Sequence, residues 1–264
     1  MRALILLMLS LALVTGAQAK AKKHKEPIST PAAYAIWDLD SKQVIADKNI
    51  DAVRSMASIT KLMTVLVTLE KNFNLNEALT VVGTQHSYYI KPGMTLSRLE
   101  LIKLALVGSD NLAANTLSET AGIDSADFIR EMNRRATELG MMDTFYRDST
   151  GLDSNNVSTI RDIKKLTEYT AKIPVFNEAA ATKTLTVYSI GKRDKIQIIK
   201  ANNTNVFAGK LDIQSAKTGF TNAAGRCLTM FFNKNNKHYV LVILGATSPG
   251  QRERMVKNLL DTIS

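Results

Sequence analysis

The chain has 264 residues, 45% of them hydrophobic and 22% charged, with a formal net charge of +10. That make-up fits one or two packed globular units and excludes a low-complexity or disordered protein. A single cysteine, Cys227, excludes an internal disulfide and a thiolate zinc cluster. The histidines, His24, His86 and His238, lack metal-type spacing and give little support to a Ser-His-Asp triad.

In chain order, Met1-Arg2, an apolar run from Ala3 to Val14 and Ala17-Gln18-Ala19 read as a secretory signal peptide over 1–19, cleaved after Ala19. The apolar run is shorter than the roughly 20 residues a membrane span needs, and no later segment reaches that length, so no transmembrane anchor is expected after cleavage. Residues 20–31 open with four lysines and read as a basic flexible tail. The rest, 32–264, is expected to fold.

Ala32 to Asp38 and Gln43 to Asp47 read as two strands joined by the turn Leu39 to Lys42. Ile59 to Lys71 has helical spacing, with Leu62, Met63, Leu66 and Leu69 on one face. Ser97-Arg98-Leu99-Glu100 is a capping box, with Leu96 and Leu101 placed as its hydrophobic staple, and Gly108 stops that helix. Further helices run over Asp110 to Ala121 and Ser125 to Leu139, and one begins at the cap Thr159. Thr184 to Tyr188 and Lys195 to Ile199 read as a hairpin. Ser215 to Phe220, Arg226 to Asn233 and His238 to Gly245 are strands, the last two joined through Lys234 to Lys237, and Gln251 to Ile263 is a helix packed on the sheet. The order strands, helices, strands predicts an α/β (α+β) fold: one largely antiparallel sheet from 32–48 and 214–245, flanked by helices, with a helical insertion over about 59–180 and a cleft where the parts meet.

Three triplets carry chemistry. In Ser58-Ile59-Thr60-Lys61 the spacing of three places a hydroxyl and an amine on one helical face. A serine hydroxyl needs an adjacent base, and a lysine can serve once desolvation or a nearby positive charge lowers its pKa. Ser109-Asp110-Asn111 follows a helix stop. Its hydroxyl can relay a proton, and its amide can hold Lys61 or donate to a carbonyl, although all three types also suit a plain N-cap. In Lys217-Thr218-Gly219 strand alternation puts Lys217 and Gly219 on one side: Lys217 supplies charge to keep Lys61 neutral, and Gly219 lets substrate backbone lie close. Each triplet is common alone. Their order and context together match the signature set of penicillin-binding proteins and class A β-lactamases.

From these residues the chain resembles the low-molecular-mass penicillin-binding proteins of the D-alanyl-D-alanine endopeptidase/carboxypeptidase family, with a β-lactamase/transpeptidase-like fold. The likeness extends to Ser55 through Thr64, Asp148 through Asp153, Ser158 through Asp162 and Lys217 through Gly225. It implies that Ser58 is the acylated nucleophile, Lys61 its base and Ser109 a catalytic partner. Asn111, Lys217, Thr218, Gly219, Phe220 and Arg252 would bind substrate, with the backbone N–H groups of Ser58 and Phe220 as oxyanion hole. It implies peptidoglycan peptide stems as substrate, β-lactams as acylating inhibitors, a periplasmic location, and no metal or organic cofactor. A nucleic-acid partner is not expected, because no nucleic-acid motif accompanies the positive charge. About 45 residues follow Gly219, which resembles the short endopeptidase form. A D-alanyl-D-alanine carboxypeptidase, or a non-hydrolytic penicillin or peptidoglycan sensor on the same fold, stays open as an alternative. A β-lactamase is disfavoured, because no E-x-x-x-N pattern follows Asn111.

Overall fold

The computed structural model describes residues 31–190 and 195–263. The signal peptide and nearly all of the basic tail lie outside the described residues. Strands β1 (Ala33–Asp38) and β2 (Gln43–Lys48) come first, followed by the short β3 (Arg54–Ser55). A 3₁₀ turn, Ala57–Thr60, leads into α1 (Lys61–Glu70). Next come β4 (Ala78–Thr80), β5 (Thr95–Ser97), α2 (Arg98–Val107), α3 (Asn111–Glu119) and α4 (Ser125–Glu138). After β6 (Val157–Ser158) run α5 (Ile160–Thr170), α6 (Pro174–Ala181), β7 (Thr184–Ile190) and β8 (Ile196–Asn202). The chain closes with β9 (Asp212–Thr221), β10 (Gly225–Lys234), β11 (Lys237–Ala246) and α7 (Pro249–Asp261).

The first and last strands share one antiparallel sheet in the order β2-β1-β11-β10-β9. The β10–β11 hairpin turns on Asn235 and Asn236, both at positive φ, which asparagine tolerates better than most residues. Alternation along β11 serves two cores. Val240, Val242 and Leu244 face the larger cluster with the insertion helices, while Tyr239, Leu241 and Ile243 face Met255, Val256 and Leu259 of α7. Burial on both faces explains why β11 reads as an unbroken apolar run.

Two buried hydroxyl pairs tie α5 to the sheet: Thr167 with Thr229 at 2.7 Å and Thr170 with Ser215 at 2.8 Å. The capping box at Ser97 and Glu100 forms, with Leu96 and Leu101 buried beside it. A second antiparallel sheet, β4-β5-β7-β8, packs on α2.

Helix α1 departs from the expected one-faced pattern. Every residue from Lys61 to Thr68 is buried, so it is a core helix enclosed on all sides. Thr64 and Thr68 return their hydroxyls to the carbonyls of Thr60 and Thr64, which removes the cost of burying them.

Candidate active site

The nucleophile candidate sits on the 3₁₀ turn rather than inside an α-helix. Between Met56 and Thr68 only Ser58 is not buried. Ala57, just before it, has φ +48°. This is a costly conformation for a residue with a Cβ, and such strain persists only where its surroundings fix it. Gly151 helps to fix it, since a Cβ built there would fall 2.1 Å from the Ala57 carbonyl oxygen.

One turn on, the Lys61 side chain is completely buried. Its Nζ donates to Ser58 Oγ at 2.9 Å, to Asn111 Oδ1 at 2.7 Å and to the Thr150 carbonyl at 2.6 Å. Burial lowers the Lys61 pKa to about 7, against the opposing pull of Asp148 and Asp110. The expectation that the Lys217 charge keeps Lys61 neutral is therefore revised: desolvation is the first cause.

Ser109 also lies at positive φ, +57°. Asp110 is the N-cap of α3, accepting from the Ala113 N–H at 2.8 Å. Thus the cap reading and the site reading of this triplet both hold: Asp110 caps, while Ser109 and Asn111 face the amines. The Asp110 carboxyl also accepts from Ser87, whose oxygen receives the Tyr89 and Ile90 N–H groups. Burial raises the Asp110 pKa above its ordinary value.

On β9, the edge strand of the main sheet, Lys217 Nζ donates to Ser109 Oγ at 2.7 Å and to the Thr218 carbonyl at 3.0 Å. Burial, with the charges of Lys61 and Arg252, depresses its pKa well below the ordinary lysine value. Thr218 donates to the Thr204 hydroxyl at 2.5 Å. The reason for glycine at 219 differs from expectation. A Cβ there would lie 3.0 Å from the Ala57 Cβ, the Met56 carbonyl oxygen and the Ser58 nitrogen. The close approach is to the nucleophile turn.

A cleft of about 410 Å³ gathers Ser58, Ser109, Asn111, Thr218, Gly219, Phe220 and Arg252, with Lys61 and Lys217 reaching its polar groups from below. All nine residues singled out from the sequence therefore meet in one place. Arg252 is 7% exposed. Burial and the neighbouring Arg226 charge hold its guanidinium below its usual pKa. His86 stands in the cleft wall, edge-on to Tyr88. Cys227 is buried, its thiol pushed up to about 11, as an inert cysteine should be.

Sequence reasoning missed the Thr150 carbonyl on Lys61, along with Tyr88, Tyr89, Thr204 and Arg226 in the walls. The Asp148-to-Asp153 likeness pointed to the loop that supplies Thr150. Its carboxylate anchor, Asp148, accepts from the N–H groups of Thr150, Gly151 and Asp153.

Comparisons with known proteins agree with this arrangement. A family model described as D-alanyl-D-alanine carboxypeptidase matches residues 20–248. A D-alanyl-D-alanine endopeptidase of Pseudomonas aeruginosa is 33% identical, covering 92% of this chain and 81% of its own length. One from Escherichia coli is 35% identical, over 86% and 75%. Among solved structures, a Streptomyces DD-transpeptidase superposes with a TM-score of 0.82 at 24% identity, over 90% of this chain and 98% of its own. A Listeria monocytogenes penicillin-binding protein in its cefotaxime-bound form gives 0.76 at 27%, over 90% and 99%.

Proposed function

This chain belongs to the D-alanyl-D-alanine carboxypeptidase family, and we propose that it is a serine endopeptidase hydrolysing D-alanyl cross-links of peptidoglycan through an acyl-enzyme on Ser58. The observation that carries this reading is the 2.9 Å contact between Lys61 Nζ and Ser58 Oγ, made by an amine whose pKa lies near 7. Such a lysine is neutral in an appreciable fraction at working pH and can take the serine proton.

The reaction runs in two halves. Neutral Lys61 accepts the Ser58 proton as Oγ attacks the D-alanyl carbonyl carbon. The resulting oxyanion lies against the backbone N–H groups of Ser58 and Phe220. The C–N bond then breaks, and the leaving amine takes the proton back from Lys61, directly or through Ser109, which hydrogen-bonds Lys217. Water attacks the ester in the second half, Lys61 acting again as base, and Ser58 Oγ regains its hydrogen. Asn111 holds Lys61 in line. Thr218, Lys217 and Arg252 receive the substrate carboxylate, and the edge position of β9 leaves backbone groups for an extended peptide.

The endopeptidase assignment is supported by the relatives at 33% and 35% identity that bear that name. Penicillins acylate Ser58 as mimics of the D-Ala-D-Ala terminus. Residues 1–19 direct export to the periplasm and are removed there. Among the described residues no helix is long and apolar enough to cross a membrane.

The test is product analysis on purified cross-linked muropeptide dimers. Conversion of dimers to monomers is expected. Loss of only a terminal D-alanine would make the protein a carboxypeptidase, and penicillin labelling with no turnover would make it a sensor.

A further inference from the structure

Arg226 is a cleft residue that the mechanism does not use. It stands on β10 directly across from Phe220 on β9. Its guanidinium carbon lies over the Phe220 ring, 3.7 Å from the centroid, and the ring is itself 48% exposed. Stacking occupies the face of a guanidinium and leaves its in-plane N–H donors free. Among the described residues no carboxylate lies within ion-pairing distance of Arg226. Among the described residues the one acid pairing with the neighbouring Arg252 is Glu253, at a loose 3.9 Å.

Thus Arg226 and Arg252 meet in a cleft that Lys217 borders, and the carboxyl lining it, Asp110, is already engaged by the Ser87 hydroxyl and the Ala113 N–H. Mutual repulsion makes such a cluster costly until an anion arrives. The peptide's terminal carboxylate has two oxygens, and the two-pronged Arg252 fork is enough to satisfy them. Arg226 is then one cation more than a single carboxylate requires.

We infer that Arg226, held on Phe220, is a second carboxylate subsite, so that the enzyme selects peptides carrying an additional acidic group near the scissile D-alanine. This rests on the acyl-enzyme reading above and adds a specificity determinant to it. The additional carboxylate comes either from the acyl side or from the leaving amine, and the test separates the two.

Three synthetic acyl peptides serve as probes. One ends in D-Ala-D-Ala with a neutral residue before it. The second has a glutamate before that pair. The third ends in D-Ala-D-Glu. For each, kcat/KM is measured with wild type, Arg226→Gln and Arg226→Lys. Arg226→Gln is expected to lower kcat/KM about tenfold more on one of the two acidic peptides than on the neutral one, mainly through KM, and Arg226→Lys should recover part of that loss. Each ratio is read within one protein preparation, so partial misfolding cancels. An equal fall on all three peptides, or no fall on any, would overturn the subsite while leaving the parent mechanism standing. If the wild type cleaves none of the three although penicillin still labels Ser58, the subsite is overturned and the acyl-enzyme mechanism stands; if penicillin labels nothing either, the mechanism itself is overturned.

Discussion

Gly219 lies against Ala57 so closely that a Cβ added to it would sit 3.0 Å from the Ala57 Cβ and equally near the Ser58 nitrogen. The glycine of the third triplet thus acts on the first. It lets the edge strand close onto the turn that presents the nucleophile. Two of the three nearest atoms are backbone, which cannot rotate away, so Gly219→Ala must displace the turn. The expected cost is about 1–3 kcal/mol of stability, with a fall of at least tenfold in the rate at which a fluorescent penicillin acylates the protein. Urea denaturation and stopped-flow fluorescence measure the two effects.

The pH dependence follows from Lys61. Its pKa is lowered to about 7 by burial, so the base form is lost as pH falls through that value. Acylation by penicillin should rise about tenfold per pH unit below 7 and level off above it. A flat profile from pH 5 to 8 would remove Lys61 as the base. The sign for stability is the same. Between about pH 7 and 10.5 the unfolded chain holds a proton on Lys61 that the folded chain has released. Through this residue, stability therefore rises with pH across that window.

Asp148 organises the loop that offers the Thr150 carbonyl to Lys61. Its carboxylate also accepts from the Asn156 side chain at 3.0 Å. Asp148→Ala removes several such bonds at once and is expected to destabilise by about 2 kcal/mol at roughly 1 kcal/mol or less apiece. It should also slow acylation, because Lys61 loses a fixed acceptor. Thermal unfolding together with penicillin labelling tests both parts. Full stability with unchanged labelling would contradict the role given to this loop.

What was readable in advance was local or periodic. The Ser97–Glu100 capping box, the Gly108 stop and the unbroken apolar run of β11 depend on near neighbours and on facing a core. Helix α6 was missed because Val175-Phe176 and its run of alanines give little one-sided pattern, although Pro174 suits a helix start. The two-residue strands β3 and β6 exist only through pairing about a hundred residues apart, which no window captures. The three triplets named the reacting side chains. They could not show that Ala57 and Ser109 take left-handed backbone angles, nor that a main-chain carbonyl at Thr150 is the third partner of Lys61. Arg226 escaped notice because its meaning comes from the residue opposite it on another strand.

The most direct test of the central claim is the mass of the intact protein after incubation with benzylpenicillin, followed by peptide mapping. The account predicts one penicilloyl group per chain, located on the peptide containing Ser58, and none on Ser58→Ala. An adduct that persists in Ser58→Ala, or that maps to another residue in the wild type, would contradict it.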